Sequence, residues 1–295
     1  MQLTEWAQAK INLHLRILGR RDDGFHQLET VMQTLQFADR VILSDQQSGI
    51  SLQCDDPQLT AGPDNLAWRA AALLSDSFPG HGVSITLQKR IPWQAGLGGG
   101  SSDAAAVLRG LNRLWRLNLS AADLTGLAAR LGSDVPFFLS GGTALARGRG
   151  EEITPLPACP KMEVALIVPP FGLATAAVYR HWQPLAVVPP GWAELLQALL
   201  ARDPKQVTQL LFNDLEAPAF SLQPELASVK LRMVDAGLPA LLSGSGSCLF
   251  GLLSSEEDGR RLRELLPAEY RLIFTRSSPL LAPTAAGEES LNTEI

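Results

Sequence analysis

The sequence predicts an α+β protein that is divided into two domains. Apolar and polar residues alternate at residues 11–17 and 83–87, a pattern typical of strands with one polar face. Apolar residues recur at helical spacing in residues 104–115, directly after a glycine-rich segment. Three prolines between residues 155 and 160 interrupt regular structure near the middle of the 295-residue chain, so we expect a domain boundary there.

The first predicted domain comprises residues 1–157. Its strands are expected at residues 11–17, 41–43, 50–52 and 83–87, and its helices at 64–74, 104–115 and 121–131. A charged turn bounded by glycines separates the first two strands, at residues 19–24. Asp64 is a suitable N-cap for the first helix.

The second predicted domain comprises residues 158–284. Its strands are expected at residues 164–168, 241–250 (two strands around a tight loop) and 270–275, and its helices near 174–182, 192–202 and 224–236. Residues 285–295 are polar and acidic and lack periodicity, so we predict a disordered tail.

Composition narrows the classes of function. The formal net charge of −5 argues against a general nucleic-acid binder, which normally carries a basic excess, but leaves room for a phosphorylated small molecule. The three cysteines are far apart and form no CxxC pair, which argues against a zinc site and a disulfide framework. No signal-peptide pattern and no apolar run of membrane-spanning length occur, so we expect a cytoplasmic protein without a membrane partner.

A glycine-rich loop at residues 92–103 stands between a predicted strand and a predicted helix. Glycines let the backbone approach a ligand closely, and the free N–H groups of a following helix attract phosphate. The loop lacks the Gly-Lys-Ser/Thr of a P-loop, fits the dinucleotide pattern poorly, and is not accompanied by protein-kinase motifs. A flexible turn is the alternative, but the strand–loop–helix context favours a phosphate-binding loop.

Six segments resemble motifs of the GHMP kinase family, in its diphosphocytidyl-methylerythritol branch, and they follow the order found there. They are Ala-Lys-Ile-Asn-Leu (9–13), Gly-Phe-His-Gln-Leu (24–28), the glycine-rich loop, Leu-Gly-Ser-Asp-Val-Pro-Phe-Phe (131–138), Asn-Asp-Leu-Glu (213–216) and Leu-Ser-Gly-Ser-Gly-Ser-Cys-Leu-Phe (242–250). The resemblance therefore spans nearly the whole chain.

The resemblance implies an N-terminal domain like ribosomal protein S5, a C-terminal ferredoxin-like α/β sandwich, and an active site in the cleft between them. It further implies ATP as phosphoryl donor, Mg²⁺ as helper ion, and the 2-hydroxyl of 4-diphosphocytidyl-2-C-methyl-D-erythritol as acceptor, in isoprenoid precursor synthesis. Another acceptor of the family (homoserine, mevalonate or a sugar) and a nucleotide-binding protein without catalysis remain as alternatives. The oligomeric state is not indicated.

Asp134 and Lys10 are the residues predicted to carry the chemistry. Asp134 follows a predicted helix and precedes Val135 and Pro136; taken alone it would read as a turn residue, whereas the resemblance favours a general base. Lys10 shares the polar face of its strand with Asn12, and the resemblance favours a charge partner for the reacting groups over an ordinary surface lysine.

The remaining predicted site residues follow from the resemblance. Phe25 and His26, where many relatives have Tyr in place of Phe25, are expected to line the cytidine pocket with Asn12, and Thr175 and Tyr179 are expected to form its opposite wall. The ATP site is expected at Pro92, Trp93, Gln94, Ala95, Gly96, Leu97, Gly98, Gly99, Gly100, Ser101 and Ser102. A second glycine turn at residues 243–247 is predicted to close the phosphate side, although a simple β-turn is equally compatible with its local sequence. No side chain is assigned as a metal ligand.

Overall fold

The computed structural model describes residues 1–184 and 189–278, which form two β-sheets covered by helices. The predicted tail at residues 285–295 lies outside the described residues. In the first sheet the strands are β1 (Gln2–Arg20), β2 (His26–Gln46), β3 (Ile50–Cys54), β4 (Gly82–Gln88), β5 (Thr143–Gly148), β6 (Glu152–Pro155) and β8 (Phe212–Asn213). In the second sheet they are β7 (Glu163–Val168), β9 (Ala240–Leu242), β10 (Leu249–Leu253) and β11 (Arg271–Arg276).

The helices of the described residues lie between these strands along the chain, singly or in groups of two or three. They are α1 (Leu66–Ser77), α2 (Gly99–Leu114), α3 (Ala121–Leu131), α4 (Phe137–Ser140), α5 (Thr175–His181), α6 (Trp192–Leu200), α7 (Pro204–Leu210), α8 (Glu216–Leu222), α9 (Pro224–Asp235) and α10 (Glu256–Leu265). The predicted α+β class is confirmed.

The long strand β2 organises the first sheet. One of its edges pairs with β1 along most of its length, and the other pairs with β5 at residues 28–33 and with β4 at residues 40–46. The second sheet is fully antiparallel, in the order β11-β7-β10-β9. The two-residue strand β8 crosses from the C-terminal half of the chain to pair with β1 in parallel. The predicted boundary between residues 157 and 158 falls between β6 and β7, and we retain it as a proposal.

Two helix starts differ from prediction. Helix α1 begins at Leu66 and its N-cap is Asn65, whose side chain accepts a hydrogen bond from the N–H of Ala67 at 2.9 Å. Asp64 is therefore not the cap, because the helix begins one residue later than that role requires. Helix α2 begins at Gly99 rather than at residue 104, directly after Gly98, whose φ of 74° is left-handed. The glycines and serines of the loop thus form the first turn of the helix.

Register shifts in the β1–β2 pair bracket the polar residues of β1. The pairing is irregular between Gln8 and Lys10 and again between Asn12 and His14. Irregularities of this kind bend a strand and re-aim its side chains, and they are common beside active sites. The pairing of Lys10 and Asn12 with β2 is therefore offset from the pairing of β1 on either side of them.

One core cluster contains residues of both sheets. It includes Ile11 and Leu13 of β1, Phe37 of β2, and Leu166 and Phe250 of the second sheet, all at most 1% exposed. The alanine-rich helix α2 packs on the first sheet in a separate cluster, and its residues from Ser102 to Leu108 are all buried. The glycine-rich loop that leads into α2 is therefore supported by β1 and by the core that joins the two sheets.

Candidate active site

The polar segment of β1 is buried and internally hydrogen-bonded. The Nζ of Lys10, a residue only 3% exposed, donates to the Oδ1 of Asn12 at 2.5 Å. The Nδ2 of Asn12 donates to the Oγ1 of Thr30 at 2.8 Å, which fixes the amide in turn. Burial lowers the pKa of Lys10, and the negative charge of Asp134 opposes this shift. The prediction that Lys10 and Asn12 share one face of the strand is confirmed.

Asp134 lies opposite Lys10 in the turn between α3 and α4. Its Oδ2 is 3.8 Å from the Nζ of Lys10, an ion-pair distance that exceeds a hydrogen bond. The side chain of Asp134 is 38% exposed, whereas that of Lys10 is 4% exposed. The pair therefore presents a reachable carboxylate in front of a buried ammonium group, so a molecule from solvent has access to the former.

The glycine-rich loop packs directly against Lys10. The backbone N–H of Lys10 donates to the carbonyl of Leu97 at 3.0 Å. A Cβ at Gly98 would lie 2.6 Å from the ring of Phe138 and 3.2 Å from the Cγ of Lys10, so only glycine fits there. The loop thus brings the N-terminus of α2, with its free N–H groups, next to the Lys10–Asp134 pair.

Side chains along this loop point in different directions. Ala95 and Leu97 are buried in the core, so these two residues offer a ligand only backbone groups. Trp93 is 52% exposed, and Gly100 is exposed at the start of α2. Ser102 is 1% exposed and Ser101 is partly buried. The predicted ATP site is therefore a main-chain surface with Trp93 beside it, and its role remains a prediction.

The second glycine turn (residues 243–247) closes over the first loop. The Oγ of Ser243 donates to the carbonyl of Gly96 at 3.0 Å, and the N–H groups of Ser247 and Cys248 donate to the carbonyls of Gln94 and Ala95, both at 3.1 Å. A Cβ at Gly96 would lie 1.9 Å from the carbonyl oxygen of Ser243, which shows how closely the two backbones approach.

Three aromatic side chains meet at His26, and one of them, Tyr179, senses the charge of Asp134. The ring of His26 lies 5.2 Å from that of Tyr179 and 5.5 Å from that of Trp182, between centroids. Burial, together with the charge of Asp134, raises the pKa of Tyr179. Burial and the charge of Arg20 lower the pKa of His26, which favours its neutral form. The structure thus brings two of the predicted pocket residues, His26 and Tyr179, together and adds Trp182, which was not among the predicted site residues.

Phe25 and Thr175 each contact a residue outside this aromatic group. Phe25 is 52% exposed, and the guanidinium carbon of Arg149 lies 5.0 Å above its ring. The Oγ1 of Thr175 is 3.0 Å from the Oγ of Ser245 in the second glycine turn. Arg149 could not be predicted as a site residue because none of the six motifs contains it. It is brought close to the site by the turn between β5 and β6. The same turn approaches Asp134, since a Cβ at Gly150 would lie 3.7 Å from the Oδ1 of Asp134.

A buried charge cluster underlies the start of α2. The Nζ of Lys89 donates to the Oδ2 of Asp103 at 2.6 Å and to the Oδ2 of Asp39. The Oδ1 of Asp39 accepts the N–H groups of Arg90 and Ile91 at 2.5 and 2.8 Å. Burial would lower the pKa of Lys89, but the two carboxylates outweigh it and raise that pKa. Burial and the charge of Asp39 raise the pKa of Asp103 to about 7, with Lys89 opposing. Asp103 stood within the glycine motif, but its spacing gave no sign of these partners.

The described residues contain neither a metal-ligand cluster nor a membrane-spanning helix. No group of three or more His, Cys, Asp or Glu side chains in residues 1–184 and 189–278 is arranged to hold a metal ion. Within the same residues, no helix combines the length and the apolar character needed to cross a membrane.

Comparison with known proteins identifies the family. The model of the GHMP kinases N terminal domain matches residues 65–142, and that of the GHMP kinases C terminal matches residues 195–272. A 4-diphosphocytidyl-2-C-methyl-D-erythritol kinase of Moorella thermoacetica is 44% identical over 281 residues, which cover 93% of this chain and 99% of the relative.

Solved structures agree with this assignment. A crystal structure of 4-(cytidine 5'-diphospho)-2C-methyl-D-erythritol kinase has a TM-score of 0.79 and 41% identity, covering 93% of this chain and 99% of that one. Homoserine kinase from Cytophaga hutchinsonii, at 20% identity and a TM-score of 0.74 with 95% of each chain covered, shares the fold. The six motifs pointed to the same family, and the chain belongs to the GHMP kinases.

Proposed function

We propose that the protein transfers the terminal phosphoryl group of ATP to the 2-hydroxyl of 4-diphosphocytidyl-2-C-methyl-D-erythritol, in isoprenoid precursor synthesis. The observation that carries the chemistry is the Lys10–Asp134 pair, with 3.8 Å between Nζ and Oδ2, beside a glycine-rich loop that leads into a helix N-terminus. The choice of acceptor is supported by relatives of that name that are 44% identical across nearly the whole chain.

In this proposal Asp134 is the general base. Its carboxylate is accessible, so it can accept the proton of an acceptor hydroxyl that lies between it and the glycine-rich loop. Lys10 is held by Asn12 at a fixed position, where its charge stabilises the developing negative charge on the oxygen. Phosphoryl transfer depends mainly on positioning and charge stabilisation, which a buried, hydrogen-bonded lysine provides without reorganisation.

The backbone of the glycine-rich loop is proposed to hold the phosphates of ATP. Free N–H groups at the start of α2 and the helix dipole favour anions at this end. Mg²⁺ that accompanies ATP needs only one or two protein oxygens, because phosphates and waters complete its shell. The hydroxyl of Ser101, which is partly buried in the first turn of α2, is an oxygen donor of that kind, so the residues present are compatible with an ion that would neutralise phosphate charge.

The acceptor is proposed to lie along the aromatic side of the site. His26, Tyr179 and Phe25 provide flat surfaces for a base, and Arg149 provides a cation next to Phe25 for a diphosphate. An isolated nucleotide-binding function would not require a carboxylate and a lysine at the end of the loop. Three free cysteines are compatible with a reducing compartment, which supports the proposal of a cytoplasmic enzyme.

The proposed function is tested by comparing the phosphorylation of several acceptor alcohols. Purified protein with ATP and Mg²⁺ is offered the cytidyl substrate, mevalonate, homoserine and galactose at equal concentrations, and ADP release is measured with product analysis. We expect phosphorylation of the cytidyl substrate alone. Turnover of homoserine or mevalonate without the cytidyl substrate would refute the assigned acceptor, and no turnover of any acceptor with intact ATP binding would favour a non-catalytic nucleotide-binding protein.

A further inference from the structure

The segment at residues 213–216 resembles a motif of the GHMP kinases, but it has no role in the chemistry proposed above. Its first residue, Asn213, ends β8, which pairs with β1 through His14–Phe212 and Leu15–Asn213. The next residue extends this attachment: the N–H of Asp214 donates to the carbonyl of Leu15 at 2.9 Å, and its Oδ2 accepts the N–H of Ile17 at 2.6 Å. The backbone at Asn213 is therefore fixed to the strand that carries Lys10 and Asn12.

The side chain of Asn213 reaches from β1 to the second glycine turn. Its Nδ2 donates to the carbonyls of Leu242 and Gly244, both at 2.7 Å, and its Oδ1 accepts the N–H of Leu215 at 2.9 Å. The residue is 4% exposed, so water does not replace these bonds readily. Two donors and one acceptor are needed at once, and a primary carboxamide has this combination whereas a carboxylate does not.

Gly244, the far partner of this amide, lies against the reacting groups. It adopts a φ of 54°, and a Cβ built on it would lie 3.1 Å from the Nζ of Lys10, 3.3 Å from the Oδ1 of Asn12 and 3.3 Å from the carbonyl oxygen of Gly96. The backbone of Gly244 thus forms the surface on which the Lys10 ammonium group and the glycine-rich loop rest. A shift of this turn would therefore alter the packing around the Lys10 ammonium group.

We propose that Asn213 is a positioning residue, whose carboxamide holds the second glycine turn against Lys10 and Gly96 and so sets the geometry of phosphoryl transfer. This inference rests on the proposed function where it is tested by kinetics, and is independent of that function where it is tested by hydrogen exchange. Because a displacement of reacting groups by about 1 Å can cost about 100-fold in rate, loss of this clamp is expected to appear in kcat rather than in substrate binding.

The test compares Asn213→Asp with Asn112→Asp. Both replacements are nearly isosteric, and both remove an amide that is hydrogen-bonded to backbone groups. Asn112 donates to the carbonyl of Leu119 at 3.1 Å and accepts the N–H of Leu119 at 2.9 Å. This control lies at the opposite end of α2 from the glycine-rich loop. We expect Asn213→Asp to lower kcat about 10- to 100-fold with KM values for ATP and acceptor within threefold of wild type. Asn112→Asp is expected to lower the thermal midpoint but to keep kcat within twofold.

A second measurement does not depend on turnover. Hydrogen–deuterium exchange of the unliganded variants is expected to accelerate in peptides covering residues 94–98 and 242–248 of Asn213→Asp, and to remain as in wild type there in Asn112→Asp. Asn213→Ser, which keeps one donor, carries both tests if the aspartate variant does not fold, and its kcat is expected below that of wild type. A folded Asn213 variant with kcat within twofold of wild type, a change confined to KM, or unchanged exchange in those peptides would overturn the proposal. If wild type itself turned over no acceptor, the proposed function would fail while exchange still decided the role of Asn213.

Discussion

Lys10 and Asp134 differ in burial, and this difference supports the roles proposed for them. Lys10 is enclosed by β1, Gly98 and Gly244, so its charge is held close to Asp134 with little surrounding water. Asp134 remains accessible because it stands in a turn rather than inside an element. A charge that is fixed and poorly solvated acts more strongly on a reacting group than the same charge in water.

The substitution Asp134→Asn tests whether Asp134 is the general base. The amide preserves shape but cannot accept the acceptor's proton, so we expect kcat to fall at least about 100-fold, the usual contribution of a general base. ATP affinity, measured by calorimetry, is expected to stay within threefold. Asp45→Asn, which neutralises an exposed carboxylate on β2, is the control and is expected to keep the wild-type rate. Asp134 is not the base if its asparagine variant turns over at the wild-type rate.

At the scale of elements, the start of α2 depends on a close fit between Gly98 and its neighbours. Gly98→Ala places a methyl group 2.6 Å from the Phe138 ring in a left-handed conformation, so we expect a loss of about 2 to 4 kcal/mol in unfolding free energy and a raised KM for ATP. Denaturant titration and steady-state kinetics measure both. In the control Gly126→Ala, on α3, the new methyl group meets no atom within 4 Å, so helix propensity predicts a gain of about 0.5 to 1 kcal/mol. Equal effects of the two substitutions would contradict this account of the loop.

The charge cluster beneath α2 predicts a specific pH dependence of stability. The pKa of Asp103 is raised to about 7 in the folded protein, so between its ordinary value and pH 7 the native state binds a proton that the unfolded state releases. This contribution is complete at low pH and declines as the pH rises towards 7. We expect Asp103→Asn to remove the decline, which denaturant titrations of both proteins from pH 4 to pH 8 measure by difference. Parallel stability profiles for wild type and variant would show that Asp103 titrates normally.

At the scale of the whole molecule, a distortion of β2 connects the two sheets. The pairing of β1 with β2 leaves extra β2 residues around residue 36, and here the N–H of Phe37 donates to the Oγ1 of Thr275 at 3.1 Å while Leu35 bridges to Ser277. Phe37, 1% exposed, belongs to the core cluster that contains residues of both sheets. The site lies where this shared core meets the glycine-rich loop, so its geometry depends on both sheets.

Phe37→Ala is therefore expected to destabilise both sheets together. Truncation of a buried phenylalanine costs about 3 to 5 kcal/mol, and we expect one unfolding transition that shifts as a whole. Hydrogen–deuterium exchange as a function of denaturant, read separately for β4 and β10, measures this. Leu231→Ala on α9, where the side chain is 62% exposed, is the control and is expected to change stability little. A shift of exchange confined to one sheet would show that the sheets unfold independently.

Elements whose pattern is local could be predicted from the amino-acid sequence. The spacing of apolar residues repeats over a few residues in 11–17, 83–87 and 121–131. The structure has β1, β4 and α3 at these positions. Short elements such as α4, β6 and β8 escaped prediction, because two to four residues contain too little of a period. The glycine and serine residues at the start of α2 were read as loop because their helix propensity is low, although the helix begins there.

The contacts between the motifs, in contrast, become visible only in the folded protein. The glycine-rich loop was recognisable from its residue types and its place between a strand and a helix, whereas Lys10 and Asp134 were indicated by motifs that resemble those of the GHMP kinases. The distances between the motifs depend on contacts between segments that are remote in sequence. The same is true of the hydrogen bond from Asn213 to Gly244, of the charge cluster around Lys89 and of the approach of Arg149 to Phe25. Such contacts arise from packing and burial, which bring charges and hydrogen-bonding groups together at positions that no local period specifies.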